Sequence, residues 1–227
     1  MPYTILFFDL DDTLYPRDCG LWPAIYERIS LYMHERVGLP WEQILPLRKR
    51  LFQQYGTTMR GLVSEYGIDE LDYLAFVHDL PLQHFIQPDP AIRTMLKRYP
   101  LPKVIFTNAD RNHARRVLRV LDLEDCFDLI IDILDMSPHC KPMPEAFSIA
   151  LQKVGNPDPA NCVLIDDMPV NLATARWLGF YTIRVGDVTP ALQYHTAIAR
   201  LSDLSAVLDN LLNEKSLSVT STYQQEQ

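Results

Sequence analysis

Three carboxylates fall within four positions at the end of a short apolar run: Asp9, Asp11 and Asp12 in "TILFFDLDDTLYP" (4–16). A second acidic pair, Asp166 and Asp167, ends the apolar "CVLID" run (162–166). Crowded carboxylates repel one another and raise one another's pKa. One acidic pair reads as a polar turn, but two such groups after two separate apolar runs point to a site. A hard divalent cation with oxygen ligands, most simply Mg2+, relieves the repulsion. The register of an EF-hand calcium loop is excluded. With Asp9 as position one, position six is Leu14 instead of Gly and position twelve is Gly20 instead of Glu. A carboxylate beside a cation is a nucleophile toward phosphorus, and a second carboxylate two residues on can move the proton. The cation and a lysine would neutralise the transferring group.

Elements must bring these groups together. "YTILFF" (3–8), "KVIFT" (103–107), "LIIDIL" (129–134), "CVLID" (162–166) and "YTIRV" (181–185) read as strands buried on both faces. Helical patterns separate them at 91–99, 113–123, 144–155 and 168–179, with Pro144 and Pro169 suited to first turns and Gly155 and Gly179 to ends. The alternation predicts an α/β fold, a Rossmann-like parallel sheet with helices on both faces. Ligands of such sheets bind beyond the carboxyl ends of the strands. Asp9 and Asp11, then Thr107, Asn108 and Asp110, then Asp166 and Asp167 stand at those ends. Residues 17–87 break the alternation with four helical stretches near 21–38, 40–56, 58–67 and 68–80. The expected division is a core of 1–16 and 88–212, a helical insert at 17–87, and a disordered tail at 213–227.

The 227 residues carry 21 Lys plus Arg against 29 Asp plus Glu, a net charge of −8, which argues against a nucleic-acid polymer as partner. Cys19, Cys126, Cys140 and Cys162 are too scattered for a metal knuckle and read as reduced thiols. No signal peptide or membrane-length apolar run is evident, so the chain is expected to be soluble and cytoplasmic. Its oligomeric state is left open.

"DLDDT" (9–13), "FTN" (106–108), Lys141 in "CKPMPEAF" and "IDDMPVN" ending at Asn171 together resemble the four motifs of the haloacid dehalogenase-like (HAD) phosphatases, in the family's order. The resemblance implies that Asp9 is the nucleophile and forms a phospho-aspartate. It makes Asp11 the general acid and base, with its backbone carbonyl on Mg2+. Thr107 and the backbone near Asn108 would hold phosphate, and Lys141 would neutralise nucleophile and phosphate. Asp167 looks like the direct metal ligand, with Asp166 and Asn171 as outer partners. Thr13 and Asn171 also fit purely local roles, in the turn and in helix capping. The family's dehalogenases attack carbon and lack a carboxylate at the position of Asp11; its phosphomutases keep it.

The insert resembles the family's helical cap, which excludes water and selects the leaving group. "YGTTMRGLVSEYGID" (55–69), "FVHDLPL" (76–82), "PDPAIRTML" (88–96) and "FTNADRNHARRVL" (106–118) resemble the pyrimidine 5′-nucleotidase-like branch. That likeness implies a small phosphorylated metabolite as substrate, a nucleoside monophosphate. Sugar phosphates, phosphoglycolate and non-catalytic phosphate binding are the alternatives. Tyr15, Tyr55, Thr57, Thr58, Arg60, Asp110 and His113 are candidates to face the gap between core and insert. Tyr26, Tyr32, Phe52, Tyr66 and Phe76 are expected to pack the insert, and "RKR" (48–50) to be a solvated face.

Overall fold

The computed structural model describes residues 3–212; the expected tail at 213–227 lies outside them. Six parallel strands form one sheet in the order β3-β2-β1-β4-β5-β6. They are β1 (Ile5–Phe8), β2 (Lys103–Phe106), β3 (Leu129–Ile131), β4 (Cys162–Asp166), β5 (Tyr181–Val185) and β6 (Thr196–Ile198). The helices include α1 (Leu21–Glu35), α2 (Trp41–Tyr55), α3 (Thr58–Tyr66), α4 (Glu70–Val77), α5 (Pro90–Arg98), α6 (Arg111–Val120), α7 (Pro144–Lys153) and α8 (Pro169–Trp177), and the last described residues, 204–212, are helical too.

The sequence explains the centre of this sheet. β1 is "ILFF", buried at every position, as a strand covered on both faces must be. Phe7 meets Phe106 and Phe180 edge-on, with ring centroids 6.2 and 5.8 Å away. Phe8 pairs with Ile105 on one side and Ile165 on the other, so β1, β2 and β4 end at one level. The backbone N–H of Asp9 extends the ladder to the Ile165 carbonyl at 2.9 Å. Chain order turns back between β1 and β4, the crevice where open parallel sheets bind ligands.

Local chemistry fixes the helix starts. Asp69, Asp89 and Asp110 cap α4, α5 and α6 by accepting backbone N–H groups, and Thr57 caps α3. Pro90, Pro144 and Pro169 occupy first turns.

Two strands depart from expectation. β3 stops at Ile131 because Asp132 opens a turn, accepting N–H groups from Asp135 at 2.9 Å and Arg111 at 2.8 Å. β6 has only three residues, too short for a visible apolar period. The insert has the four expected helices, with α1 against α2 and α4, and α2 against α3. Tyr32 and Phe76 pack together at 5.4 Å, but Tyr26, Phe52 and Tyr66 are exposed. The "RKR" expectation needs correction too: Arg48 is buried, donating to the Tyr26 carbonyl and the Ser30 hydroxyl.

Candidate active site

Three strand ends deliver the cluster. Asp9 follows β1, Thr107 and Asn108 follow β2, and Asp166 ends β4 with Asp167 next to it. Carboxylate oxygens of Asp9, Asp166 and Asp167 all lie within 4.8 Å of one another. Lys141 enters from the loop before α7 and is almost wholly buried. Its Nζ donates to Asp9 Oδ1 at 2.8 Å and to Asp166 Oδ2 at 2.8 Å. Asn108 clasps the Lys141 backbone from both sides, donating to its carbonyl and accepting its N–H, each at 2.9 Å.

The two acidic neighbours on β4 differ. Asp166 accepts from Lys141, from the Met168 N–H at 2.8 Å and from the Asn171 amide at 3.1 and 3.0 Å. Its oxygens are therefore occupied. Asp167 is half-buried and takes no hydrogen bond from another described residue. Asn171 sits within the first turn of α8, aimed back at Asp166, so its amide acts across the site instead of capping its helix. Thr13 is buried and donates weakly to Asp9 Oδ2 at 3.5 Å.

Electrostatics follow from burial. Burial pushes the Asp9 carboxyl well above the usual carboxylate range; the Lys141 ammonium opposes this, and the Asp166 and Asp167 charges add to it. Burial and then Asp166 raise Asp167 from 3.8 to about 7. Burial and then Asp11 raise Asp12 from 3.8 to about 6. Burial works against the charge on Lys141, but Asp166 and Asp9 prevail and hold it ionised. Asp12 has a left-handed backbone (φ 61°), which an aspartate tolerates, and its buried Oδ1 has no partner among the described residues. A hard cation fits this donor set: oxygen ligands in excess of one lysine, proton-retaining for want of positive charge.

Asp11 is placed differently. Its Oδ1 accepts the Tyr15 hydroxyl at 2.6 Å and faces His113 Nε2 at 2.9 Å. Burial alone would raise its pKa, but His113 and Tyr15 hold it below the ordinary value. His113 stacks on His78, whose Nδ1 meets Asp110 Oδ2 at 2.6 Å.

The structure thus gathers Asp9, Lys141, Asp166 and Asp167, with Asn108 bracing the lysine and Tyr15 bracing Asp11. Asp110 caps α6 and binds His78. Thr58 is buried in the first turn of α3, and the Tyr55 hydroxyl accepts from Gln54 at 3.3 Å. Neither hydrogen-bonds to the Asp9 cluster among the described residues. Arg60, expected to face the gap, is instead consumed within the chain: it donates to the carbonyls of Ile133 and His139, to Ser137 and to Glu70. His78 escapes sequence reading because a single histidine in a helical pattern carries no signal of what will pack on it.

Residues 3–179 match the profile of the haloacid dehalogenase-like hydrolases. The chain belongs to that family. "Phosphate metabolism protein 8" of Saccharomyces cerevisiae is 31% identical over 189 residues, 77% of this chain; the chain spans only 59% of that relative's length. Among solved structures, Bacillus subtilis YfnB, determined bound to magnesium, aligns with 92% of this chain and 99% of its own (TM-score 0.58, 20% identity). The L-2-haloacid dehalogenase of Xanthobacter autotrophicus aligns over the same shares (TM-score 0.59, 17% identity). At these identities the two structures establish the fold alone. No described helix of the chain is long and apolar enough to cross a membrane.

Proposed function

We propose that this hydrolase is a Mg2+-dependent phosphatase that cleaves phosphate monoesters through an aspartyl-phosphate on Asp9. The observation that carries the reading is the Asp9 carboxylate at the end of β1, paired to the buried Lys141 at 2.8 Å and clustered with Asp166 and Asp167. An Asp9 oxygen attacks phosphorus, the ester P–O bond breaks, and Asp11 gives its proton to the departing alkoxide. Asp11 then takes a proton from water as the water oxygen attacks the phosphoryl group, releasing phosphate and restoring Asp9. Thr107 and the backbone near Asn108 hold phosphoryl oxygens, and Lys141 offsets their charge. Asp9, Asp167 and the Asp11 carbonyl would hold Mg2+, with Asp166 as an outer partner; bound there, it neutralises the phosphoryl group.

Residues 17–87 serve as the helical cap in this reading. The substrate is a nucleoside 5′-monophosphate, most simply UMP or CMP, a choice supported by the long phrases at 55–69 and 106–118. The yeast relative's name, which places it in phosphate metabolism, is consistent with phosphate ester chemistry.

Phosphate release from UMP, CMP, AMP, GMP, nicotinamide mononucleotide, sugar phosphates and phosphoglycolate, with Mg2+ or EDTA, tests this. Metal-dependent release strongest from UMP and CMP, and lost in Asp9→Asn, is expected. Preference for a sugar phosphate or phosphoglycolate keeps the mechanism and overturns the cap reading. No release from any ester would count against a hydrolytic role and favour a mutase or a phosphate-binding protein.

A further inference from the structure

The carboxylate Asp11 stands at one end of a buried chain of groups that the proposed reaction does not use. Its Oδ1 receives Tyr15 and His113; its Oδ2 takes no hydrogen bond from a described residue. His113 has no exposed surface, and its other nitrogen, Nδ1, has no partner among the described residues. Oδ1 accepts the Tyr15 hydroxyl and remains an acceptor when Oδ2 carries the acid proton, so the nitrogen facing it, His113 Nε2, is the donor. His113 is fixed in turn. Its ring lies on that of His78, centroids 4.1 Å apart at 19°. Asp110 holds both, accepting the His113 backbone N–H through Oδ1 and His78 Nδ1 through Oδ2. His78 is the C-cap of α4, at the start of the segment that leads out of the insert. Arg116 of α6 fastens the segment after it, donating to the carbonyls of His78 at 2.8 Å and Leu80 at 2.6 Å.

We infer that His113 is a positioning residue for Asp11. With Tyr15 it pins Oδ1 and leaves Oδ2 to exchange the proton. Through its stack on His78 it ties that orientation to the segment returning from the insert. The inference rests on the reading of Asp11 as the acid–base group. Residues holding a reacting group in this way change rate by about 10- to 100-fold when lost.

Two esters separate this role from a structural one. UMP needs its leaving oxygen protonated; 4-nitrophenyl phosphate does not. In the Mg2+-loaded enzyme, His113→Leu should lower kcat for UMP about 10- to 100-fold with KM nearly unchanged. The first-turnover burst of nitrophenolate should stay within about threefold of wild type, because forming the aspartyl-phosphate then needs no acid. His113→Gln, whose amide nitrogen can reach the place of Nε2, should regain most of the loss. Equal losses on both esters, or no advantage of Gln over Leu, would overturn the inference. Proton–nitrogen correlation spectra of the histidine rings decide the contact without turnover. An Nε2–H on His113 that shifts in Asp11→Ala is expected; a proton on Nδ1 overturns the inference. Full activity in Asp9→Asn would sink the phosphatase reading and leave those spectra unaffected.

Discussion

Asn108 and Lys141 grip one another through two hydrogen bonds of 2.9 Å, side-chain amide to backbone, in both directions. The grip fastens the loop before α7 to the end of β2, and so fixes the root of the side chain that reaches Asp9 and Asp166. Asn108→Ala should remove both bonds, destabilising the fold by about 1–3 kcal/mol in urea titration. Phosphatase activity should fall on the order of a hundredfold, because small misplacements of a charge at the reacting centre are that damaging. Activity within a few-fold of wild type would mean that the loop holds Lys141 by itself.

Lys141 is the buried cation between two buried carboxylates. Lys141→Met should leave Asp9 and Asp166 facing one another without it, at roughly 3–5 kcal/mol in the metal-free protein. Added Mg2+ should restore part of that stability, since it supplies positive charge to the same oxygens. A melting temperature unchanged without metal would refute this account of the cluster.

Arg60 joins α3 to the loop after β3 through donations to Ile133, Ser137 and His139. Arg60→Met should unpair Glu70 and three backbone or hydroxyl acceptors, costing about 3 kcal/mol or more. Arg60→Lys should recover only part, since an ammonium cannot span acceptors placed for a fork. KM for the best ester should change little compared with stability. A large KM effect at normal stability would return Arg60 to the substrate gap.

The strand ends were legible because two properties coincide there: unbroken apolar runs that demand double burial, and carboxylates that no buried strand would carry without a reason. Cys162–Asp166 and Tyr181–Val185 match the expected strands residue for residue. The arginines were not legible. Arg48 and Arg60 lie in patterns that suit a solvated face or an open gap, and only the tertiary approach of carbonyls such as Tyr26 and Ile133 makes their burial tolerable. The stack of His78 on His113 is hidden for the same reason: the two rings are 35 positions apart and meet only once the segment after α4 has packed against α6.

Asp167 gives the cluster a pH signature. Unfolded, its carboxyl loses a proton near 3.8; folded and metal-free, it does so near 7. Between those values the folded state holds the extra proton, so this group's contribution to stability declines as pH rises through that window. The slope is at most about 1.4 kcal/mol per pH unit. Asp167→Asn should flatten the metal-free stability profile across the same range. Mg2+ must displace that proton to bind, so its stabilising effect should be larger at about pH 8 than at about pH 5. Calorimetry with and without Mg2+ in both proteins checks this. Equal metal stabilisation in wild type and Asp167→Asn would remove Asp167 from the ligand set.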